Sequence, residues 1–313
     1  MHKKLFQKLQ TLGIYFALII LIILFTLMNS SFFSASNFIN ILRQVSTMGI
    51  MAVGAMFVML TGGVDLSVGT QISIVGISTA YFMVNYGMNP VPAVLLGFAI
   101  GIVIGIANGI IVTKTKIPPM IATLGMMQIV KGLSYTICQG LPIFGFPEKF
   151  AFIGQGSIGI IPFPIILFIL CVLVGSFVLN KTVFGRSLYA IGSNEEASRL
   201  SGIQVKRQKL IAYIVCSAFT GIAALITLSR INAGQPISGI GSEMDVLTAI
   251  ILGGVSFTGG EGKVSGAVAG VLILGVLSNG MVMAGLGEYM QVILKGAVLL
   301  FALSLDGLKQ RHA

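Results

Sequence analysis

Ten or so apolar runs follow one another along this chain, most of them near the length that crosses a bilayer, with short polar stretches between them. In hydrocarbon each backbone amide and carbonyl has to be satisfied within its own segment, so runs of this length span as helices. A crossing takes about 20 apolar residues for a core of roughly 30 Å. The runs lie near residues 12–29, 45–61, 70–86, 91–113, 119–138, 162–180, 209–230, 243–254, 264–283 and 289–305. They predict an all-α polytopic membrane protein of about ten transmembrane helices, one domain over residues 1–313, with glycine-broken segments and no separate soluble domain. The eighth run is too short to cross alone, so it is tilted, broken or extended into the glycines that follow.

Composition agrees: 56% of residues are hydrophobic, 9% are charged and the mean hydropathy is +1.00, which no soluble domain shows. The net charge of +10 comes from basic residues set between apolar runs, not on an amphipathic face. They mark membrane topology, not a nucleic-acid partner. With the N-terminus inside, Lys3, Lys4, Lys8, Lys114, Lys116 and the basic residues of positions 181–209 are cytoplasmic, and the external loops keep only Arg43 and Lys149. Both termini should then be cytoplasmic and the number of spans even. Cys138, Cys171 and Cys216 lie in or at the ends of apolar runs without metal-ligand spacing, and read as small core residues. No metal site is expected.

Residues 181–208 form the longest cytoplasmic loop. Within it Ser193 precedes Glu196 by three positions, the spacing of a capping box. A helix is expected to start there, with Glu195 and Glu196 at its positive end, Arg199 in its last turn and Gly202 as the left-handed residue that stops it. Two turns do not persist alone in water, so this helix needs a surface. That surface is either its own bundle or a cytoplasmic motor subunit.

Polar residues inside the runs locate a possible pathway. In residues 62–69, GGVDLSVG, Gly62 and Gly63 permit a tight turn or close backbone approach, and Asp65 is placed to cap a helix beginning at Leu66. Half-helices of this kind surround the pathway in transporters, so Gly62, Gly63 and Asp65 are gate candidates, with a helix cap at a membrane edge the alternative for Asp65. In the fifth run Gln128, Lys131, Tyr135 and Gln139 share one helical face. Lys131 falls about 18 Å from the cytoplasmic edge, where an ammonium needs water or a partner; it lines a route, forms an ion pair or meets another subunit. Lys295 is near enough to the outer edge to reach the interface with its stem, which favours packing.

No phosphate loop ending in Lys-Ser or Lys-Thr occurs, so the chain carries no nucleotide hydrolysis site of its own. Tryptophan is absent, and few carboxylates lie within the runs. A tight sugar site is not expected here, nor are catalytic residues or a bound cofactor.

Four segments, residues 60–69 (LTGGVDLSVG), 108–127 (NGIIVTKTKIPPMIATLGMM), 184–203 (FGRSLYAIGSNEEASRLSGI) and 251–266 (ILGGVSFTGGEGKVSG), resemble the permease subunits of bacterial ATP-binding-cassette importers for ribose and related simple sugars, including autoinducer-2. The resemblance covers nearly the whole chain. It implies a multi-pass protein of the bacterial inner membrane, paired with a second permease copy or paralogue. Two cytoplasmic ATPase domains using ATP and Mg would drive it, and a periplasmic or lipid-anchored sugar-binding protein would feed it. The ATPase-coupling surface would then be Gly185, Arg186, Ser193, Asn194, Glu195, Glu196, Arg199 and Gly202, and Arg230 and Asn232 would be candidates for binding-protein contact. An ion-coupled secondary transporter is the other class; it would need an intramembrane acid, and the acids here sit near run ends or in loops.

Overall fold

The computed structural model describes Phe16 and residues 18–311. Its helices are α1 (Leu18–Met28), α2 (Ala35–Met59), α3 (Val68–Val84), α4 (Pro90–Lys114), α5 (Pro119–Cys138), α6 (Glu148–Gln155), α7 (Phe163–Lys181), α8 (Val183–Ser193), α9 (Glu195–Leu200), α10 (Val205–Ile231), α11 (Ser242–Leu252), α12 (Val264–Met283) and α13 (Glu288–Arg311). A two-residue hairpin, β1 (Ser157–Ile158) with β2 (Ile161–Pro162), leads into α7. The architecture is all-helical and polytopic. Among the described residues six helices, α2, α4, α5, α7, α10 and α12, are long and apolar enough to cross a membrane.

Burial sorts the helices into an inner and an outer set. α3 and the C-terminal halves of α2 and α10 are buried nearly all round, and α10 packs against α2, α3 and α4. α7 instead turns Ile169, Leu170, Leu173, Val174 and Phe177 outward, a wholly apolar face suited to acyl chains.

The close packing of α4 rests on a feature that the apolar runs conceal. Gly97, Gly101, Gly105 and Gly109 recur every four residues on α4, which aligns them along one side. A Cβ on Gly97 would sit 3.1 Å from the carbonyl oxygen of Val75 on α3, one on Gly105 would sit 2.9 Å from that of Tyr213 on α10, and one on Gly109 would sit 3.1 Å from the Cα of Leu210. Small residues in such a row let membrane helices approach backbone to backbone. Gly105→Val should lower stability by roughly 1–3 kcal/mol through overpacking, read as a fall in the thermal unfolding midpoint of the purified protein.

Several boundaries differ from the sequence reading. α2 begins at Ala35, ten residues before the run at 45–61, because Ser34 caps it by accepting from the Asn37 amide at 3.3 Å. Arg43, expected in an external loop, therefore lies inside α2. The eighth run is α11, an 11-residue helix that ends at Leu252; Gly254, with φ +83°, breaks it. The start of the first run and Lys3, Lys4 and Lys8 lie outside the described residues.

Candidate functional site

Residues 181–208 hold two helices, not a loop with one. Thr182 starts α8, its hydroxyl accepting from the Gly185 amide at 3.1 Å. α8 buries Gly185, Ser187, Leu188 and Ile191. Gly185 is tucked against the end of α7, where a Cβ would meet the Leu179 carbonyl oxygen at 2.3 Å; it supports the helix from below, while Arg186 is exposed. Because α8 runs through Ser193, that residue is not a cap. Its hydroxyl donates back to the Tyr189 carbonyl at 2.9 Å, and Asn194, in extended conformation, caps α9 by accepting from the Ala197 amide at 2.9 Å. The capping box expected of Ser193 and Glu196 is thus replaced by an asparagine cap one residue later.

α9 is six residues long and exposed except at Ser198. Glu196 pairs with Arg199, Nε donating to Oε2 at 3.0 Å, and the Arg199 guanidinium holds the Glu196 carboxyl below its ordinary range. Glu195 accepts from Lys209 of α10 at 2.6 Å, tying the helix to the bundle. Gly202 ends it at φ +84°, with its amide on the Arg199 carbonyl and that of Ile203 on Ser198, as expected of a left-handed stop.

The end of α8 meets the two glycine segments. A Cβ on Gly192 would fall 2.0 Å from the Leu60 carbonyl oxygen and 2.3 Å from the Gly260 nitrogen. The Gly260 amide donates to Leu60 O at 3.0 Å, and Tyr189 Oη donates to the Gly262 carbonyl at 2.9 Å. Gly62 (φ +74°) and Gly259 (φ +92°) close the junction: a Cβ on Gly259 would sit 2.5 Å from the Gly62 nitrogen. Segments near residues 60–63 and 258–262, some 200 positions apart, therefore form one floor beneath α8.

Beyond that floor the chain is fastened on three sides. Thr123 of α5 accepts from the Leu66 amide at 3.2 Å and donates to the Val64 carbonyl at 3.1 Å. Tyr213 of α10 reaches the Val64 carbonyl at 3.4 Å, and Gly63 packs on the same hydroxyl. Asp65 is 3% exposed. It does not cap a helix at Leu66, since α3 starts at Val68 after Ser67. Its Oδ1 accepts from the Ser67 amide at 2.9 Å and the Ser67 hydroxyl at 2.6 Å, and Asn108 of α4 donates to both carboxylate oxygens at 3.3 Å. It sits in the bundle, not at an edge. The residues that build this network, Ser67, Asn108, Thr123 and Tyr213, were not singled out from sequence; Asn108 is the one signal available, a lone amide within an apolar run.

Of the pathway candidates, Gln128 and Tyr135 are exposed on α5 and Lys131 is half-buried on the flank of the same face. Gln139 ends the helix at φ 52°. α5 packs inward through Ala122, Thr123, Val130, Ser134 and Cys138. Gly125 and Gly132 are open, with nothing within 4 Å of an added Cβ. The outward side of α5 is therefore mixed, with Gly125, Gln128, Gly132 and Tyr135 set among exposed Ile121, Leu124, Ile129 and Leu133, where that of α7 is wholly apolar. Lys131 has no hydrogen bond or ion pair among the described residues. Lys295, by contrast, joins α13 to α11 through Asp245 at 2.7 Å, which accords with a packing role. Gln128, Lys131 and Tyr135 do not gather with Gly62, Gly63 and Asp65; α5 packs against α3, and Thr123 of the same helix bonds the chain on either side of Asp65.

Arg230 lies at the end of α10, part-buried and within electrostatic reach of Arg43. Asn232 caps that helix at φ 55°. Among the described residues no group of three His, Cys, Asp or Glu side chains forms a metal-ligand set.

The family described as branched-chain amino acid transport system / permease component matches residues 37–303. The ribose import permease protein of Bacillus subtilis (strain 168) is 41% identical over 300 residues, which covers 95% of this chain and 93% of that protein. The ribose import permease protein of Escherichia coli (strain K12) is 39% identical over 298 residues, 94% of this chain and 92% of its own. The L-arabinose transport system permease protein of the same strain is 39% identical over 267 residues, covering 85% and 81%. No solved structure matches.

Proposed function

Since the chain belongs to the branched-chain amino acid transport system / permease component family, it is a membrane permease, and we propose that it is the transmembrane subunit of an ATP-binding-cassette importer for ribose or a related monosaccharide. The permease subunit has no ATPase site; separate cytoplasmic ATPase subunits use ATP and Mg, a binding protein outside delivers the sugar, and a second permease copy or paralogue completes the passage. On this reading the chain crosses the bacterial inner membrane ten times, counting the broken α11 segment, and both termini would then be cytoplasmic.

The observation that carries this reading is the junction under α8. An exposed two-turn helix, α9, hangs from an amphipathic helix whose end is wedged against two glycine segments of the bundle. Force applied to α9 by an ATPase reaches residues 60–67 through backbone contacts, and from there α5 through Thr123 and α4 through Asn108. Arg186, Asn194, Glu195, Glu196, Arg199 and Gly202 present the docking surface, with Gly185 and Ser193 behind it. The polar face of α5 with Gln128, Lys131 and Tyr135 lines the route, and rocking of the attached helices opens it to alternate sides. Arg230 and Asn232 lie at the opposite end of α10, where a binding protein would dock.

Reversing the exposed pair tests the docking surface. Surface pairs contribute little to stability, so Glu196→Lys with Arg199→Glu should leave the fold intact. In detergent extracts of native membranes the wild-type chain should co-purify with an ATP-binding-cassette ATPase and the double variant should lose at least roughly tenfold of it, equivalent to about 1.4 kcal/mol of docking energy. Intact wild-type complexes without any ATPase would instead favour a secondary transporter.

A further inference from the structure

The network around Asp65 contains more acceptors than its donors satisfy. The carboxylate is 3% exposed, and its partners, the Ser67 amide, the Ser67 hydroxyl and the Asn108 amide, are all neutral. No lysine, arginine or histidine pairs with it among the described residues. The positive end of α3 lies beside it and supplies only about half a charge. Two further oxygens in the same cluster, Gln71 Oε1 and Asn108 Oδ1, are buried without any partner, although both side chains are fully buried.

The orientation of those amides follows from Ser67. Its hydroxyl has one proton, which goes to Asp65 at 2.6 Å, so its other neighbours must be donors. The nitrogens of Gln71 and Asn108 reach it at 2.9 Å and 2.8 Å. Turning either amide over would set an oxygen against an oxygen, so the two amide oxygens are left unpaired by necessity, that of Asn108 on an amide whose nitrogen touches the carboxylate and that of Gln71 on one whose nitrogen touches Ser67. A buried carboxylate lacking a cation, together with buried acceptors lacking donors, is a costly arrangement unless something positive fills it.

We infer that a monovalent alkali cation, sodium or potassium, binds among Asp65, Gln71 and Asn108 and pins the Gly62 segment to α3 and α4. Carboxylate, amide and carbonyl oxygens are the ligands such hard cations take, and unwound segments beside half-helices are where transporters hold them. One carboxylate balances one charge, so a divalent ion would be left overcharged. The inference does not depend on the identity of the transported solute or on the docking of an ATPase.

Thermal unfolding of the purified full chain in detergent tests it, in choline chloride against sodium, potassium and lithium chloride at equal ionic strength. Sodium or potassium should raise the midpoint saturably by about 5 °C over choline, and Asp65→Asn should abolish that rise. Gln71→Leu, which keeps the carboxylate, should weaken the apparent affinity about tenfold and decides the matter should Asp65→Asn fail to fold. Equal midpoints in all four salts for the wild type would overturn the inference, as would a response to magnesium or calcium alone, or a sodium or potassium response unchanged in either variant. A wild-type midpoint that ignores cations and rises only on acidification would assign the site to a proton instead.

Discussion

Gly192→Leu should cut ATP-driven import by at least about a hundredfold while leaving ATPase recruitment near normal. The added Cβ would lie 2.0 Å from the Leu60 carbonyl oxygen and 2.3 Å from the Gly260 nitrogen, and both obstacles are backbone, which cannot step aside as a side chain can. The end of α8 must therefore lift off its floor, and the Gly260 amide and Leu60 carbonyl, 3.0 Å apart, lose their fixed separation. Losing about 2.7 kcal/mol of coupling corresponds to that hundredfold, within the reach of an overpacked contact. α9 faces solvent on the far side and keeps its own cap and ion pairs, so the partner should still be captured. Uptake and co-purification measured on one preparation separate the two effects. Normal uptake would mean that force does not pass through this junction, whereas loss of both would mean that α8 itself had unfolded.

The sequence made the helices legible because apolar runs and breakers carry them. α5 and α12 coincide with the runs at 119–138 and 264–283, and the short eighth run is indeed a broken helix. What escaped was decided by packing at long range. Nothing local to Ser193 reveals that α8 extends through it, since α8 is held by burial of Leu188 and Ile191 and by the floor beneath Gly192. The contact between the two glycine segments was not visible: a meeting of residues 60–62 with 258–260 leaves no trace in spacing. Asp65 and its glycines were recognisable as unusual, yet the donors that define Asp65 come from α4 as well as its own segment. The four-residue glycine row of α4 was legible in principle and hidden by the surrounding apolar composition.

Gly132→Trp offers the sharpest test of the α5 face. Nothing lies within 4 Å of a Cβ at that position, so a side chain leaves the backbone there without a clash, and expression and thermal midpoint should be unchanged. If the face with Gln128, Lys131 and Tyr135 borders the sugar route, the ring fills the route or the approach of a second copy, and import should fall at least about tenfold, a loss of roughly 1.4 kcal/mol or more in the limiting step. Leu173→Trp supplies the contrast: Leu173 is 62% exposed on α7 among Ile169, Leu170, Val174 and Phe177, an environment that lipid satisfies, and import should stay normal there. The difference arises from what each helix shows outward. Acyl chains have no partner for a glutamine amide or an ammonium, so a helix that turns Gln128 and half-buried Lys131 outward beside two open glycines is presenting them to water or to protein. Equal transport in the two tryptophan variants would return α5 to the lipid-facing shell and leave Lys131 to reach the interface by its stem alone.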